Sequence, residues 1–171
     1  MKIIFLDVDG VLNSDFTEET VNGWTFVDDK SIMLIKHIMD TTGAFVVLDS
    51  TWRQGYYGTT QKAPGDMSDW GELEYEALKE RCEKYGVWFY GHTPWPETGN
   101  RGAEIKRWID ENTGGDKEEL ESFVIIDDVD IRISNVFPAN FVKTRGHLGI
   151  TNHEVNRAIQ ILGKKEEVNA S

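Results

Sequence analysis

Two aspartates, Asp7 and Asp9, stand one residue apart directly after an apolar run, in IIFLDVDGVLN from Ile3 to Asn13. Two carboxylates this close repel each other, and each costs free energy if it loses water. Two further polar clusters follow apolar runs. One is DSTWR, Asp49 to Arg53; the other is Asp127 and Asp128, with Asp130 close behind. These residue types suit a phosphate. A carboxylate can attack phosphorus and form an acyl phosphate. A second carboxyl two residues on can protonate the leaving oxygen and later activate water. A hard divalent cation such as Mg²⁺, held by a few carboxylates, offsets their repulsion and neutralises phosphoryl charge. A hydroxyl and a fixed positive charge complete the cradle. Taken singly, Asp-x-Asp is common in turns, and DD or Ser-Thr after a strand is more often a helix cap. Three such clusters in this order, each ending an apolar run, are hard to explain as three separate caps.

Residues that must meet need elements to carry them. Residues 3–7 read as a buried strand, and Lys30 to Thr42 as a helix with Ile32, Ile35, Ile38 and Met39 on one stripe and Gly43 as its stop. Ala44 to Leu48 reads as a second strand. Glu72 to Tyr85 reads as a charged helix with Leu73, Ala77 and Leu78 as its apolar face. VWFYG from Val87 is a third strand, Arg101 to Asn112 a helix carrying Ile105, Trp108 and Ile109, and Phe123 to Asp127 a fourth strand. NFVKT from Asn140 is a short fifth. Thr151 to Leu162 is the last helix, with Thr151 as N-cap and Glu154 placed for a capping box. Gln54 to Asp69, with Gly55, Tyr56, Tyr57, Gly58, Pro64 and Gly65, reads as a long loop, and the tail 163–171 is expected to fray. Alternating strands and helices predict an α/β three-layer, Rossmann-like parallel sheet with helices on both faces and no large cap domain, as one domain over 1–171. In such a sheet ligands bind beyond the carboxyl ends of the strands, where the three clusters would converge.

Composition narrows the function. The 171 residues are 39% hydrophobic and 28% charged, a globular composition. No apolar run is long enough to span a bilayer, and no membrane partner is expected. The start lacks a basic-then-apolar signal region, and the single Cys82 fits a reducing cytosol, so a cytoplasmic location is expected. A net charge of −12 repels long duplex nucleic acid, but leaves room for a nucleic-acid end or nucleotide at a local basic site.

Asp7-Val8-Asp9-Gly10-Val11-Leu12-Asn13 resembles the first motif of the haloacid dehalogenase-like hydrolases. VVLDS resembles their second motif and points to Ser50, with Thr51 as a near alternative, and VIIDD resembles the fourth. The resemblance spans about residues 3 to 162. A closer resemblance is to the small domain of the multidomain Swiss Army knife RNA-repair proteins. DSTWR, RGAEIKRWI and GHLGITNHEVNRAIQIL are similar to stretches of that group in the same order. The resemblance implies a phosphatase with an aspartyl-phosphate intermediate. Asp7 would be the nucleophile, Asp9 the general acid/base with its backbone carbonyl on the metal, and Ser50 a phosphoryl ligand. Asp127 and Asp128 would join Asp7 in holding Mg²⁺. Gly10, Thr51, Arg53 and Lys106 are candidates to line the substrate. Asp at the second motif position separates phosphatases from dehalogenases within the superfamily.

Two positions depart from the pattern. The third motif is usually a Lys; here the matching place holds Arg101, with Lys106 as the alternative. Lys106 lies roughly 500° around and ~7.5 Å along a helix from Arg101, away from the strand ends. The other departure is Asp49, an extra carboxylate unless it points away or pairs with Arg53. Three functions stay open. The first is a Mg²⁺-dependent phosphatase of nucleic-acid ends or nucleotides, the RNA-repair setting. The second is a small-metabolite phosphatase. The third is a non-catalytic phosphate-binding module. Tyr56, Tyr57, Trp70, Trp24 and Trp95 could stack on a base, though any one of them more readily packs its own loop.

Overall fold

The computed structural model describes residues 1–61, 71–95 and 97–163. The chain runs β1 (Lys2–Leu6), β2 (Thr20–Val21), β3 (Trp24–Thr25), α1 (Asp29–Thr42) and β4 (Phe45–Leu48). A 3-10 turn (Thr51–Arg53) leads into α2 (Gln54–Gln61) and α3 (Glu72–Lys84). Then come β5 (Phe89–His92), α4 (Arg101–Asn112), β6 (Ser122–Asp127), α5 (Ile133–Val136), β7 (Phe141–Lys143) and α6 (Asn152–Leu162). The expected strands and helices are all present, with ends displaced by a residue or two.

Five strands form one parallel sheet in the order β5-β4-β1-β6-β7. Side chains alternate across it, as the pleat requires. Ile4, Leu6, Val46, Leu48, Val124 and Ile126 join a core with residues of α1, α3 and α6. Ile3, Phe5, Val47 and Ile125 join Ile105 and Trp108 of α4 and Ile133 of α5 on the opposite face. Both faces are covered, so β1 is apolar at nearly every position and only its end can be polar. The fold is thus the α/β Rossmann-like one, with no large cap among the described residues. No described helix is long and apolar enough to cross a membrane.

Local chemistry sets the helix ends. Gly43 closes α1 in the left-handed region at φ 78°, its N–H donating to Met39 O at 2.8 Å. Thr151 and Glu154 form the expected capping box on α6. The chain order places β1 at the switch point: β4 and β5 extend the sheet on one side, β6 and β7 on the other. A crevice opens at the carboxyl ends of the strands at such a point.

Two expectations change, and one element is new. The stretch from Gln54 is not a loop at its start: Gln54–Gln61 is helix, and residues 62–70, with Pro64, Gly65 and Trp70, lie outside the described residues. Its two glycines hid the helix, because packing against α3 holds it in place of propensity. Tyr56 stacks on His92 at 3.8 Å between ring centroids, and the Tyr57 hydroxyl donates to Thr93 O at 3.1 Å. These aromatics pack the sheet edge. Leu73 is 68% exposed; α3 buries Tyr75, Leu78 and Cys82 instead. The short hairpin β2–β3 was not foreseen, since two-residue strands carry no periodicity. The expected fraying covers residues of which only Gly163 is described.

Gly55 marks where α2 meets α3. A Cβ there would lie 2.1 Å from Gly71 O and 2.4 Å from Tyr75 Cβ. We expect Gly55→Ala to destabilise the protein by about 1–3 kcal/mol through overpacking. Thermal unfolding checks this: an unchanged midpoint would mean that α2 does not sit this tightly on α3.

Candidate functional site

The sheet ladder runs one residue past each strand, and that extension gathers the site. Asp7 N donates to Ile126 O at 3.0 Å, Asp49 N to Leu6 O at 2.8 Å, and Thr144 N to Asp127 O at 3.0 Å. Asp7 therefore sits between the ends of β4 and β6. Carboxylate oxygens of Asp7, Asp127 and Asp128 all lie within 4.8 Å of one another. Asp7 and Asp127 are buried, and Asp128 is half-buried.

Small residues make room for this. Gly10 turns the chain at φ 73°, and a Cβ on it would fall 2.3 Å from Asp128 Oδ2. A Cβ on Gly146 would fall 2.6 Å from the same oxygen. Gly10 N donates to Asn13 Oδ1 at 2.8 Å, so Asn13 fixes the turn. Asp9 points outward and is exposed. Its Oδ1 accepts from Asn13 Nδ2 at 2.9 Å and its Oδ2 from Trp52 Nε1 at 2.9 Å. Trp52, from the 3-10 turn after β4, thus orients the second carboxylate of the first motif. Ser50 is fully buried, its side chain opposes the rise of the Asp7 carboxyl, and its Oγ accepts from Trp52 N at 3.4 Å. Thr51 is exposed beside it at the start of the turn.

Arg101 is the first residue of α4, after the N-cap Asn100, whose side chain accepts from Ala103 N at 3.1 Å. Its guanidinium enters the carboxylate group. Nη1 donates to Asp49 O and to Asp127 Oδ2 (3.2 Å), and lies 3.6 Å from Asp7 Oδ1 and 3.9 Å from Asp49 Oδ2. Nη2 lies 3.5 Å from Glu97. Lys106 is exposed and pairs with Asp110 at 2.6 Å, so it is not brought to the site. Arg53 is fully buried behind the site. It donates to Ser50 O at 2.6 Å, Glu104 Oε2 at 2.9 Å and Glu97 Oε1 at 3.2 Å. It braces the second strand end from within and presents nothing to a substrate. Asp49 turns from Arg53 to Thr93, whose Oγ1 donates to Oδ1 at 2.7 Å. Asp130 is exposed and accepts from Ser134 N at 2.9 Å, outside the cluster.

The electrostatics follow from burial. Burial raises Asp7 well above the usual carboxylate range, the Asp127 charge adds to this, and Arg101 opposes it. Burial pushes Asp127 up to about 7 against the pull of Arg101. Asp49 is raised by burial too. Burial works against the Arg101 charge, but Asp49, Asp7 and Asp127 outweigh it and hold the guanidinium protonated. One buried cation thus faces more carboxylate charge than it balances. The donor set at the gap is all hard oxygen, which suits a divalent cation of the Mg²⁺ type. Trp52 and Asn13 were not singled out as partners of Asp9, although both lie inside motifs legible in the sequence. Glu104 lies inside RGAEIKRWI without being marked as a partner of Arg53, and Glu97 carried no local signal.

Stability should report the crowding. Asp127 is held near 7 in the folded chain and falls to about 3.9 when unfolded. The folded state then binds more protons, so stability is lost as pH rises from about 4 through 7. We expect the metal-free protein to melt higher at pH 5.5 than at pH 8. Asp127→Asn should melt about 2–4 °C above wild type at pH 8, the shift that about 1 kcal/mol gives in a chain of this size. Calorimetry with chelator present checks both; equal midpoints at the two pH values would contradict the repulsion.

A family model of the HAD domain in Swiss Army Knife RNA repair proteins matches residues 3–155. No curated protein and no solved structure matches the chain. The matched stretch takes in every cluster described above, from Asp7 to Gly146. It supports phosphohydrolase chemistry in general, in a family that generally depends on a metal, and the buried aspartates here have the donor set for one. With most of its length matched, the chain belongs to the family of HAD domains found in Swiss Army Knife RNA repair proteins.

Proposed function

We propose that the chain is a Mg²⁺-dependent phosphatase that works through an aspartyl phosphate on Asp7 and acts on phosphorylated nucleic-acid ends or nucleotides. The observation that carries this reading is the convergence of Asp7, Asp127 and Asp128 beside the buried Arg101 guanidinium. Asp7, Asp127 and Asp128, with the Asp9 carbonyl, would hold the cation. When bound, it supplies positive charge to the phosphoryl oxygens and relieves the repulsion that would otherwise turn a phosphate dianion away.

The chain's own groups then divide the work. An Asp7 oxygen attacks phosphorus while the bond from phosphorus to the ester oxygen breaks. Asp9, two residues on and held by Asn13 and Trp52, gives its proton to the departing oxygen. Asp9 next takes a proton from water as the water oxygen attacks phosphorus. The Asp7–phosphorus bond breaks, phosphate leaves, and Asp7 is a carboxylate again. Arg101 sets a fixed charge 3.6 Å from Asp7, where phosphoryl charge develops. Ser50 supplies a hydroxyl to the same place. A cytoplasmic setting is part of this reading, supported by a single buried Cys82.

The assay is release of phosphate from a 3′-phosphorylated oligonucleotide, with p-nitrophenyl phosphate as a generic substrate. Asp7→Asn should abolish turnover on both while the fold stays intact, because the amide keeps the shape and loses the nucleophile. Near-normal rates in that variant would end the mechanism. Arg101→Ala should lower kcat on the order of 10²–10³, by analogy with losing one preorganised donor. Arg101→Lys should recover part of the loss, and Lys106→Ala should match wild type. The reverse pattern would move the third-motif role to Lys106.

A further inference from the structure

Cations elsewhere on the surface are mostly spoken for. Lys36, Lys79, Arg81, Lys106 and Arg107 each pair with a carboxylate. One concavity differs. It measures about 410 Å³ and is lined by Val142, Lys143, Arg145, His153, Glu154 and Arg157. No carboxylate of the described residues lies within 4.0 Å of the Lys143, Arg145 or Arg157 head groups. All three side chains are exposed. Two nearby acids, Glu154 and Asp130, are already engaged. Glu154 is buried, and its Oε2 accepts from Thr151 N at 2.9 Å and from Thr151 Oγ1 at 2.5 Å at the N-terminus of α6. Asp130 feels the Lys143 charge, but accepts from both the N–H and the hydroxyl of Ser134. In a chain of net charge −12, unpaired cations gathered in one hollow are a local reversal of sign.

The hollow adjoins the site. Lys143 is the strand partner of Asp127. Neighbouring strands lie about 4.8 Å apart. The next residue, Thr144, ties Asp127 O and Gly10 O with its N–H and hydroxyl. Gly146 closes against Asp128. Residues 143–146 are thus a wall with the carboxylate cluster on one side and the cationic hollow on the other. A small monophosphate seated at Asp7 has no second anion to place there. A nucleic-acid end does: its terminal phosphate goes to Asp7 and its neighbouring phosphodiester continues along the strand.

We propose that the hollow formed by Lys143, Arg145, His153 and Arg157 binds a backbone phosphodiester of a single-stranded nucleic-acid substrate, next to its terminal phosphate. This rests on the phosphatase reading for the terminal group, but makes its own claim about the strand. It also answers how so acidic a protein holds a polyanion: long-range repulsion is overcome at one contact, beside the reacting group.

The test compares wild type with Arg145→Ala/Arg157→Ala. A Lys36→Ala/Lys79→Ala control carries the same change in net charge. Binding of a fluorescein-labelled, 3′-phosphorylated decanucleotide is read by anisotropy with chelator present, across a series of salt concentrations. Turnover of p-nitrophenyl phosphate with Mg²⁺ is read in parallel. The proposal expects the double variant to bind the strand about tenfold more weakly, with a slope of log Kd against log salt shallower by about 1.4, the value for two lost contacts to a single strand. The control should bind like wild type, and all three proteins should turn over p-nitrophenyl phosphate equally. Equal strand binding by wild type and the double variant, or equal weakening in the control, overturns the proposal. Strand binding that depends on the two arginines in a protein with no phosphatase activity supports the hollow and removes the phosphatase reading. Normal p-nitrophenyl phosphate turnover with no arginine-dependent strand binding does the opposite.

Discussion

A single guanidinium holds apart charges that the fold forces together. The Arg101 head group lies among Asp7, Asp49, Asp127 and Glu97, all within 4.0 Å of its nitrogens. Three of these carboxylates, those of Asp7, Asp49 and Asp127, are buried. Removing the guanidinium from such a group would leave uncompensated buried carboxylates, which typically costs about 3–5 kcal/mol. A second buried guanidinium, Arg53, does the same one layer back, where it ties Ser50 O to Glu104. The two arginines set the shape of the strand ends on the β4 side. What they leave unbalanced, the Asp7–Asp127–Asp128 gap, has the oxygen donors to hold a metal ion.

That arrangement depends on topology more than on any single contact. β1 is the central strand and lies at the switch point, so its end is flanked by the ends of β4 and β6. The apolar strands are buried on both faces, which leaves the carboxyl ends as the place where polar side chains can stand. Gly10 and Gly146 then let Asp128 close in, since a Cβ on either would meet its carboxylate. Asp9 is kept outside the crowd, turned to solvent between Trp52 and Asn13. One turn of chain thus gives two carboxylates different surroundings, buried and crowded for Asp7, exposed and pinned for Asp9, the difference that the proposed attacking group and proton carrier require.

Much of this was legible in the sequence because it is local. Strand β1 and its two aspartates are contiguous, α1 has a clean stripe and stop, and α6 begins with a capping box. The convergence of Asp7, Ser50 and Asp127 followed from the parallel-sheet rule, and Arg101 over Lys106 followed from helix geometry. What was missed is what only packing decides. Helix α2 contains Gly55 and Gly58 and is held by α3. Leu73 looks apolar in the chain yet faces solvent because Tyr75, Leu78 and Cys82 take the buried side. Arg53 looked free to touch a substrate, and only the distant partners Glu97 and Glu104 reveal that it is internal. The cationic hollow joins β7 to α6 across residues 142 to 157, and no sequence period marks it.

The central claim is that Asp7 carries the phosphoryl group during turnover. Borohydride reduces an acyl phosphate to an alcohol and leaves a free carboxylate untouched. A turnover mixture of protein, Mg²⁺ and p-nitrophenyl phosphate, quenched in acid and then reduced, can be read by mass spectrometry of its peptides. The account predicts homoserine at position 7, dependent on substrate, with Asp9, Asp127 and Asp128 unchanged. Turnover with an unmodified Asp7, or with the label on another carboxylate, would contradict it.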